Sequence, residues 1–411
     1  MRDFPKVVCN EKAAKLLRSG HPWVYGEETR GPEELYENGD LVDVYTEKGR
    51  WMGTGLINDA SKIRVRLISR NTNDRFDEAF WRRRVEHAVA YRRTVMGEQD
   101  FRCCRLIFGE ADSFPGLTVD RFEDVLVTEV LSLGIERRKD LIYRLLREVL
   151  AEYNVEIRCI YERNESALRA KEGMESGKGC AFGDPGDGRV VITENGLDYE
   201  VDFVNGQKTG FFLDQKYNRQ AAARLAEGRT VLDCFTHTGA FGMNCAKAGA
   251  AQVISVDISE DACEQSRRNI ERNGLQEIQS VVCADVFDYL TDLANGQRPE
   301  GVPQGRHPFD YIILDPPAFT KSRETAKAAY RGYKEINLKA MKLLPRGGYL
   351  ATCSCSHFMG PQMFEKMLKE AASDAGVQLR QVEERRQAPD HPILWGVPET
   401  EYLKFWLFQV V

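Results

Sequence analysis

From about residue 190 onward, short apolar runs rich in β-branched residues alternate with helix-forming stretches. The runs are TVLDCF (230–235), VISVDI (253–258), SVVCAD (280–285), YIILDPP (311–317) and GGYLATCS (347–354). Segments such as DACEQSRRNIERNG and YKEINLKAMKLL separate several of them. Apolar strand, helix, apolar strand is typical of a parallel sheet covered on both faces. The pattern therefore predicts a doubly wound, Rossmann-like α/β domain over residues 189–411.

The first half of the chain has a different pattern of apolar residues and predicted elements. Residues 1–72 combine a short helical stretch with strand-like runs and glycine-rich turns, which predicts a small β-barrel. Residues 76–97 carry apolar side chains at helical spacing, and hairpin-like segments follow without strand–helix alternation. We therefore predict an α+β domain over residues 73–188, ending in an exposed loop at the Gly-, Asp- and Pro-rich stretch 172–188.

Composition narrows the class of protein. The chain has 411 residues, 42% apolar and 29% charged, an ordinary globular balance. It contains no apolar run of about 18 residues, so no membrane span is predicted. The start, MRDFPKVVCNEKAAKLL, lacks the apolar core of a signal peptide. Eleven cysteines without a secretory signal predict reduced thiols and a cytoplasmic protein.

A cluster of arginines interrupts the acidic balance of the chain. The net charge is −6, but nucleic-acid binding depends on local patches rather than on the total. Residues 82–105 carry seven arginines against three acids: Arg82, Arg83, Arg84, Arg92, Arg93, Arg102 and Arg105 against Glu86, Glu98 and Asp100. The cluster predicts either contacts to nucleic-acid phosphates, first of all by Arg82, Arg83 and Arg84, or a solvated helix face.

The first apolar strand leads into a glycine-containing turn, TVLDCFTHTGAFG. In an open α/β sheet this turn lies beside the ligand. The spacing of Gly239 and Gly242 fits neither the dinucleotide fingerprint nor a phosphate-binding loop. An acid, Asp233, ends the strand instead, and it suits a cationic amino-acid moiety better than a pyrophosphate.

The next two apolar strands also end in acids. Asp257 is placed to accept hydrogen bonds from a ribose diol, and Asp285 from an adenine amino group. An amino acid, a ribose and an adenine without phosphate indicate S-adenosylmethionine as the cofactor. The alternative is that these acids only cap the helices that follow. The cofactor candidates are Asp233, Phe235, Thr238, Gly239, Asp257, Ile258, Asp285, Val286 and Asp315.

These stretches resemble a known family along essentially the whole chain. The matching segments are RSGHPWVY (18–25), NGQKTGFFLDQKYNR (205–219), LDCFTHTGAFG (232–242), LDPPAF (314–319), SCS (354–356) and APDHPILWGVPETEYLK (388–404). They are similar to class I S-adenosylmethionine-dependent methyltransferases, and more closely to the RlmI-like bacterial 23S rRNA cytosine-5 methyltransferases. The resemblance implies an N-terminal PUA-like domain, an RNA substrate, and cofactor-pocket roles for Lys208, Thr209, Phe211 and Asp214. Their alternative role is structural support for the first strand.

The strand YIILDPP predicts the catalytic end of the sheet. Pro316 and Pro317 lack N–H groups, so the segment after Asp315 leaves the ladder and faces the crevice. A nearby aromatic, Phe319, predicts stacking on a nucleobase. In doubly wound order this strand neighbours the first one, at the switch point beside the cofactor.

LATCSCSH follows on the adjacent strand, so its tip is expected within roughly 10 Å of Asp315. Metal binding needs more ligands than two cysteines, and no C-x-x-C pair supplies them, so no metal is predicted. Cys353 suits core filling, whereas Cys355 lies beyond the apolar run and is the preferred nucleophile; Cys353 stays open as the alternative. Asp315 is the candidate proton donor. The base that would remove the final proton is open among His357, His391 and Asp315.

The predicted reaction is formation of 5-methylcytosine in 23S rRNA, with Phe319, His391 and the arginines as RNA-contact candidates. Two other functions remain open. D-P-P followed by an aromatic also occurs in enzymes that methylate base nitrogens such as those of guanine, but that chemistry needs no thiol. A non-catalytic RNA-binding protein with a relic methyltransferase fold is the alternative of another class. The sequence does not indicate an oligomeric state.

Overall fold

The computed structural model describes residues 4–305, 307–320, 322 and 324–411, and the chain forms two compact units. Unit 1 contains the residues up to Ile192 together with Val201–Leu213 and Pro389–Thr400. Unit 2 contains Thr193–Glu200, Asp214–Ala388 and Glu401–Val411. The chain thus passes between the units several times, and the domain limits 1–72, 73–188 and 189–411 stay a prediction.

Unit 1 begins with a six-stranded sheet in the order β2-β6-β5-β4-β1-β3. Its elements are β1 (Lys6–Cys9), α1 (Glu11–Arg18), β2 (Trp23–Val24), β3 (Thr29–Arg30), β4 (Leu41–Thr46), β5 (Trp51–Ile57) and β6 (Val65–Ser69). Asn10 caps α1 by accepting from the N–H of Ala13. Alternating apolar residues of the strands and one face of α1 close a buried core that includes Val7, Leu17 and Val44. The predicted small β-rich unit is confirmed.

A second sheet of unit 1 has five strands in the order β11-β10-β9-β8-β7. Its elements are α2 (Glu78–Phe101), β7 (Cys103–Phe108), β8 (Leu117–Phe122), β9 (Val125–Val130), α3 (Leu133–Glu136), α4 (Lys139–Ala151), β10 (Cys159–Asn164) and β11 (Gly177–Gly183). The prediction of a loop over 172–188 is wrong for β11. This edge strand is largely exposed and pairs antiparallel with β10, so its backbone ladder rather than apolar alternation stabilises it.

A hairpin of β12 (Arg189–Glu194) and β13 (Leu197–Asp202) precedes the large sheet of unit 2. That sheet has seven strands in the order β16-β15-β14-β17-β18-β20-β19. Its elements are α5 (Lys216–Ala223), β14 (Thr230–Cys234), α6 (Ala240–Lys247), β15 (Gln252–Asp257), α7 (Glu260–Arg272), β16 (Gln279–Cys283), α8 (Val286–Ala294), β17 (Tyr311–Leu314), α9 (Ala326–Leu343), β18 (Tyr349–Ser354), α10 (Pro361–Ala375), β19 (Leu379–Arg385) and β20 (Lys404–Val410).

The large sheet is parallel from β16 to β18, and β20 runs antiparallel to both of its neighbours. Successive residues of β14 enter different cores, because side chains alternate across a strand: Val231 packs with α5 and α6, and Leu232 packs with α8 and α9. Burial on both faces explains the continuous apolar runs. Strand order reverses between β14 and β17, so the predicted doubly wound α/β fold and its switch point are confirmed.

No helix in the described part of the chain combines the length and the hydrophobicity needed to cross a membrane.

Candidate functional site

The loop after β14 is organised by a buried carboxylate. Asp233 Oδ2 accepts hydrogen bonds from the Thr236 hydroxyl and, at 2.9 Å, from the N–H of Gly242. Its Oδ1 atom is buried and has no hydrogen-bond partner among the described residues. Burial raises the pKa of Asp233 to about 6. Asp233 therefore holds the turn and leaves one acceptor oxygen unused.

Two glycines keep side chains out of this turn. Gly239 has φ +84°, and a Cβ there would lie 2.4 Å from Ser266 Oγ. A Cβ on Gly242 would lie 2.4 Å from Gln279 Nε2 and 2.7 Å from Ser255 Oγ. Phe235 and His237 also have positive φ, at 62° and 51°. The backbone between β14 and α6 is thus held in a tight, strained curve that only small residues permit at its end.

We expect Gly239→Ala to destabilise the protein by roughly 2–5 kcal/mol, because it adds a steric clash to the penalty of a positive φ. Gly274→Ala is the matched control: it also has a positive φ, +66°, but a Cβ there meets no atom within 4 Å. Its cost should be about 1–2 kcal/mol. Urea unfolding of both variants measures the difference, and equal losses would show that the space at Gly239 is not restricted.

The strands next to β14 place two further acids at the same edge of the sheet. Asp257 ends β15, where it accepts from the N–H groups of His237 at 2.9 Å and Ser259 at 3.0 Å. The Ile258 side chain that follows is 65% exposed. Asp285 follows β16 and caps α8 by accepting from the N–H of Phe287 at 2.7 Å. Capping, the alternative considered from the sequence, thus accounts for one oxygen of Asp285.

Two neighbouring cofactor candidates have buried side chains. The side chain of Val286 belongs to the buried core beneath α8. Thr238 is also buried, and its carbonyl accepts from Asn269 Nδ2. Their roles at the cofactor stay predictions.

The ends of β17 and β18 meet as predicted. Leu314 pairs with Thr352, and Cys355 Sγ lies 3.9 Å from the carbonyl oxygen of Pro316. Asp315, one residue before that proline, accepts at Oδ1 from Gln215 Nε2 at 2.9 Å. The thiol and the carboxyl therefore lie at neighbouring strand ends.

Burial raises the pKa of Asp315 to about 7, with a further contribution from the nearby carboxylate of Asp214. Gln215 partly opposes this effect through its hydrogen bond. The amide of Gln215 is itself oriented by Asn218, whose Nδ2 donates to Gln215 Oε1 at 2.6 Å. Asp315 can thus exist as a neutral acid near neutral pH, held in one orientation.

The two cysteines of β18 have different surroundings. Cys353 is 0% exposed and packs in the core beside Phe405 of β20. Burial raises the pKa of its thiol well above the usual range. Cys355 lies beyond the end of the strand and is partly exposed. The accessible thiol is the one preferred from the sequence.

A residue that the sequence reading did not single out completes this corner. Lys404, at the start of β20, is 3% exposed, and its Nζ donates to the carbonyls of Ser356 and Tyr402, both at 2.7 Å. Burial lowers the pKa of Lys404 to about 8, and the charge of Cys355 opposes that shift. Lys404 ends the quoted segment APDHPILWGVPETEYLK, but a lysine at a strand start ordinarily indicates solvent exposure.

Phe319, the predicted stacking residue, belongs to an aromatic cluster. Its ring centroid lies 4.6 Å from that of Tyr333, 5.7 Å from Phe287 and 6.3 Å from Phe235. The side chain is only partly buried, so some of the ring remains accessible. The cluster fixes the position of Phe319 beyond the D-P-P segment.

The candidates drawn from the NGQKTGFFLDQ segment are divided between the units. Lys208, Thr209 and Phe211 belong to unit 1, and Asp214 belongs to unit 2. Thr209 is buried and donates to Asp120 Oδ2 at 2.6 Å, Phe211 is also buried, and the Lys208 ammonium lies over the ring of Phe212. Asp214 accepts from the Tyr402 hydroxyl at 2.6 Å. Their roles in a cofactor pocket stay predictions.

The arginine cluster is not a free basic patch. Arg82 forms ion pairs with Glu86, Glu148 and Glu152, and Arg83 pairs with Asp74. Arg84 donates to the carbonyl of Ile68. The buried Arg92 pairs with Asp112, and the half-buried Arg105 pairs with Asp120. Arg102 pairs with Glu123, and Arg93 lies over the ring of Tyr153. Carboxylates from other elements compensate much of this charge, which favours the structural interpretation.

His391, predicted to contact the substrate, is an interior residue of unit 1. Its side chain is 2% exposed, and Nδ1 lies 2.9 Å from Asp390 Oδ1. Its ring packs against Phe108 at 5.5 Å between centroids. This burial favours a structural role for His391, and its contact with RNA stays a prediction.

Comparison with known proteins decides the family. The profile of PUA-like domains matches residues 7–70, and that of S-adenosylmethionine-dependent methyltransferases matches residues 165–408. The chain is 41% identical over 395 residues to ribosomal RNA large subunit methyltransferase I of Aeromonas hydrophila, covering 95% of each chain. It is 36% identical over 409 residues to the protein of that name from Klebsiella pneumoniae, covering 99% of each. The chain belongs to this family of S-adenosylmethionine-dependent methyltransferases. The resemblance seen in the sequence is confirmed.

Solved structures show the same fold for this methyltransferase. A putative S-adenosylmethionine-dependent methyltransferase from Streptococcus mutans superposes with a TM-score of 0.81 at 22% identity, over 99% of this chain and 100% of that one. A putative methyltransferase complexed with SAH gives the same TM-score at 23% identity.

The residues of this methyltransferase fit S-adenosylmethionine. The unused, buried Asp233 Oδ1 is an acceptor, and Ile258 offers an exposed apolar surface beside Asp257. No cluster of three or more His, Cys, Asp or Glu side chains suitable for a metal ion occurs within the described residues. The predicted cofactor is confirmed by the family.

Proposed function

We propose that this methyltransferase forms 5-methylcytosine in 23S rRNA, with Cys355 as the nucleophile and Asp315 as the proton donor. The observation that carries the proposal is the partly exposed Cys355 thiol 3.9 Å from the Pro316 carbonyl, next to the half-buried Asp315 carboxyl, whose pKa is raised. The names of the relatives, ribosomal RNA large subunit methyltransferase I, support the RNA substrate. Methylation of cytosine at carbon 5 is the reaction that requires both groups.

Carbon 5 of cytosine is a poor nucleophile on its own. The Cys355 thiolate would add to carbon 6, forming a C–S bond while Asp315 protonates N3, and the ring electrons then become available at carbon 5. After carbon 5 is methylated, a base would remove its proton, the C–S bond would break, the thiolate would leave, and N3 would return its proton to Asp315. A carboxyl whose pKa is about 7 can donate a proton at neutral pH, which an ordinary aspartate cannot.

The cofactor would be held along the ends of β14, β15 and β16. Asp257 suits the ribose hydroxyls, Ile258 the flat face of the adenine, and the free oxygen of Asp233 the ammonium group. Asp285 retains one carboxylate oxygen beyond its cap for the adenine amino group. When bound, S-adenosylmethionine supplies an electrophilic methyl group.

Asp257→Ala is expected to weaken S-adenosylmethionine binding by about 10- to 100-fold, because a hydrogen bond to a charged group contributes roughly 1.5–3 kcal/mol. Isothermal titration calorimetry measures the change. Asp261→Ala is the control, because Asp261 is exposed in the first turn of α7 and should leave affinity unchanged. Unaltered affinity in Asp257→Ala would remove this residue from the proposed site.

The remaining assignments concern RNA. We propose that residues 1–72 and 73–188 bind and position the RNA, that residues 189–411 carry the chemistry, and that Phe319 stacks on the target base. An rRNA substrate implies action in the cytoplasm.

Mass spectrometry of RNA treated with isotopically labelled S-adenosylmethionine tests the reaction. Label in 5-methylcytosine supports the proposal. Label in a methylated guanine would instead favour the base-nitrogen alternative, and an RNA without label, despite cofactor binding, would favour the non-catalytic one.

A further inference from the structure

Lys404 is a buried cation without a carboxylate partner among the described residues. Its side chain is 3% exposed, and it is absent from the ion pairs formed there within 4.0 Å. Its Nζ donates to two backbone carbonyls. An isolated ammonium is costly to bury, and a counter-charge reduces that cost. An anion next to the Lys404 ammonium would therefore stabilise it.

Lys404 pairs with or contacts the two residues that flank Cys355. Lys404 pairs across the β18–β20 ladder with Ser354, and its Nζ donates to the carbonyl of Ser356 at 2.7 Å. Cys355 is the residue between those two. The ammonium is thus held at the residue that follows Cys355, and the carbonyls of Ser356 and Tyr402 occupy two of its three N–H donors.

Among the described residues, the other titratable groups on the elements around Cys355 are Tyr333, Cys353, Asp315 and His357. Tyr333 of α9 hydrogen-bonds to Ser356 Oγ at 2.8 Å, and burial raises the pKa of Tyr333 to about 12. Cys353 is buried on the same strand, and Asp315 lies at the end of β17. His357, two residues after Cys355, is exposed. An ionised Asp315 would disfavour the thiolate, so Lys404 is the cation in this set that can stabilise it.

We propose that Lys404 is a positioning residue that keeps Cys355 as a thiolate, by taking the thiol proton and remaining beside it as an ammonium. The Sγ–H bond breaks, an Nζ–H bond forms on the neutral amine, and a thiolate–ammonium pair results. The catalytic meaning of this pair rests on the proposed nucleophilic role of Cys355, but its existence does not.

The test is the pH dependence of alkylation by iodoacetamide, followed at Cys355 by peptide mass spectrometry in the full-length protein without RNA or cofactor. Cys180 and Cys283, the exposed cysteines, serve as internal references. In the unmodified protein the midpoint for Cys355 should lie about one to two pH units below theirs, as for thiols next to cations. A midpoint at or above theirs would overturn the proposal without any variant.

Lys404→Met should raise the Cys355 midpoint by about one pH unit or more, which corresponds to roughly tenfold slower alkylation near pH 7. Lys339→Met, a half-buried lysine of α9 paired with Glu335, should leave it unchanged. Should Lys404→Met fail to fold, Lys404→Arg keeps the charge and should keep the low midpoint. A folded Lys404→Met with an unchanged midpoint would make Lys404 only a support for two carbonyls.

These outcomes separate the pair from the proposed function. A Lys404-dependent midpoint in a protein that forms no 5-methylcytosine would retain the pair and reject the reaction. Formation of 5-methylcytosine with an unperturbed thiol would retain the reaction and reject the pair.

Discussion

Replacing Cys355 with serine is expected to lower methyl transfer to RNA by about 10³-fold or more, the scale of loss when a nucleophile is removed. A hydroxyl is far less nucleophilic than a thiolate, so addition to carbon 6 should fail. Cofactor affinity should stay within about twofold, because the acids proposed to hold the ribose, the adenine and the ammonium lie at the ends of β14, β15 and β16 rather than at Cys355. Initial rates with labelled S-adenosylmethionine and rRNA measure the loss.

Cys353→Ala is the matched control, two residues away on the same strand. Its side chain is fully buried with Asp315 and Gln215 near the thiol, so the change should cost about 1 kcal/mol of stability and lower the rate far less than Cys355→Ser does. If Cys353→Ala abolished transfer and Cys355→Ser retained it, the nucleophile would be Cys353. If both retained it, thiol chemistry would be excluded.

Asp315→Asn is expected to lower the rate by roughly 10²- to 10⁴-fold, the usual contribution of a positioned acid. Burial raises the pKa of this carboxyl to about 7, so it is protonated below that pH and can donate to N3. As pH rises through about 7 it loses the proton, and the rate that depends on it falls. The Cys355 thiolate forms as the pH rises, so the rate should first increase with pH. The pH–rate profile should therefore be bell-shaped.

The Asn variant should lose the alkaline fall of the profile, since an amide does not titrate there. Asp310→Asn is the control at the other end of the same strand, where Asp310 accepts from the N–H of Thr230. It should keep the bell shape. An alkaline fall that persists in Asp315→Asn would mean that another group supplies the proton.

Much of the catalytic fold is predictable from sequence because both faces of its sheet are buried. Strands such as YIIL then appear as uninterrupted apolar runs, and their polar ends mark the edge where Asp257, Asp315 and Cys355 lie. The exposed edge strand β11 has no such pattern, because its stability comes from backbone pairing with β10. Local periodicity cannot report a partner supplied by another segment.

The interpretation of single charged residues from sequence is restricted for the same reason. Arg82 appears as a free cation in sequence, but Glu148 and Glu152 lie 66 and 70 residues away along the chain. His391 appears reactive, yet Asp390 and Phe108 enclose it. Lys404 shows the opposite case. A lysine that begins a strand is expected to be exposed to solvent, but its Nζ is buried and donates to two carbonyls. Long-range partners, not residue type, decide what each charge does.

Covalent capture tests the central claim most directly. With 5-fluorocytosine in the RNA, carbon 5 carries fluorine in place of the proton that must leave, so the bond between Cys355 and carbon 6 should persist after methylation. Protein and RNA should then migrate together on a denaturing gel when S-adenosylmethionine is present, and Cys355→Ser should abolish the band while Cys353→Ala keeps it. Absence of the band from unmodified protein that methylates ordinary RNA would contradict the cysteine mechanism.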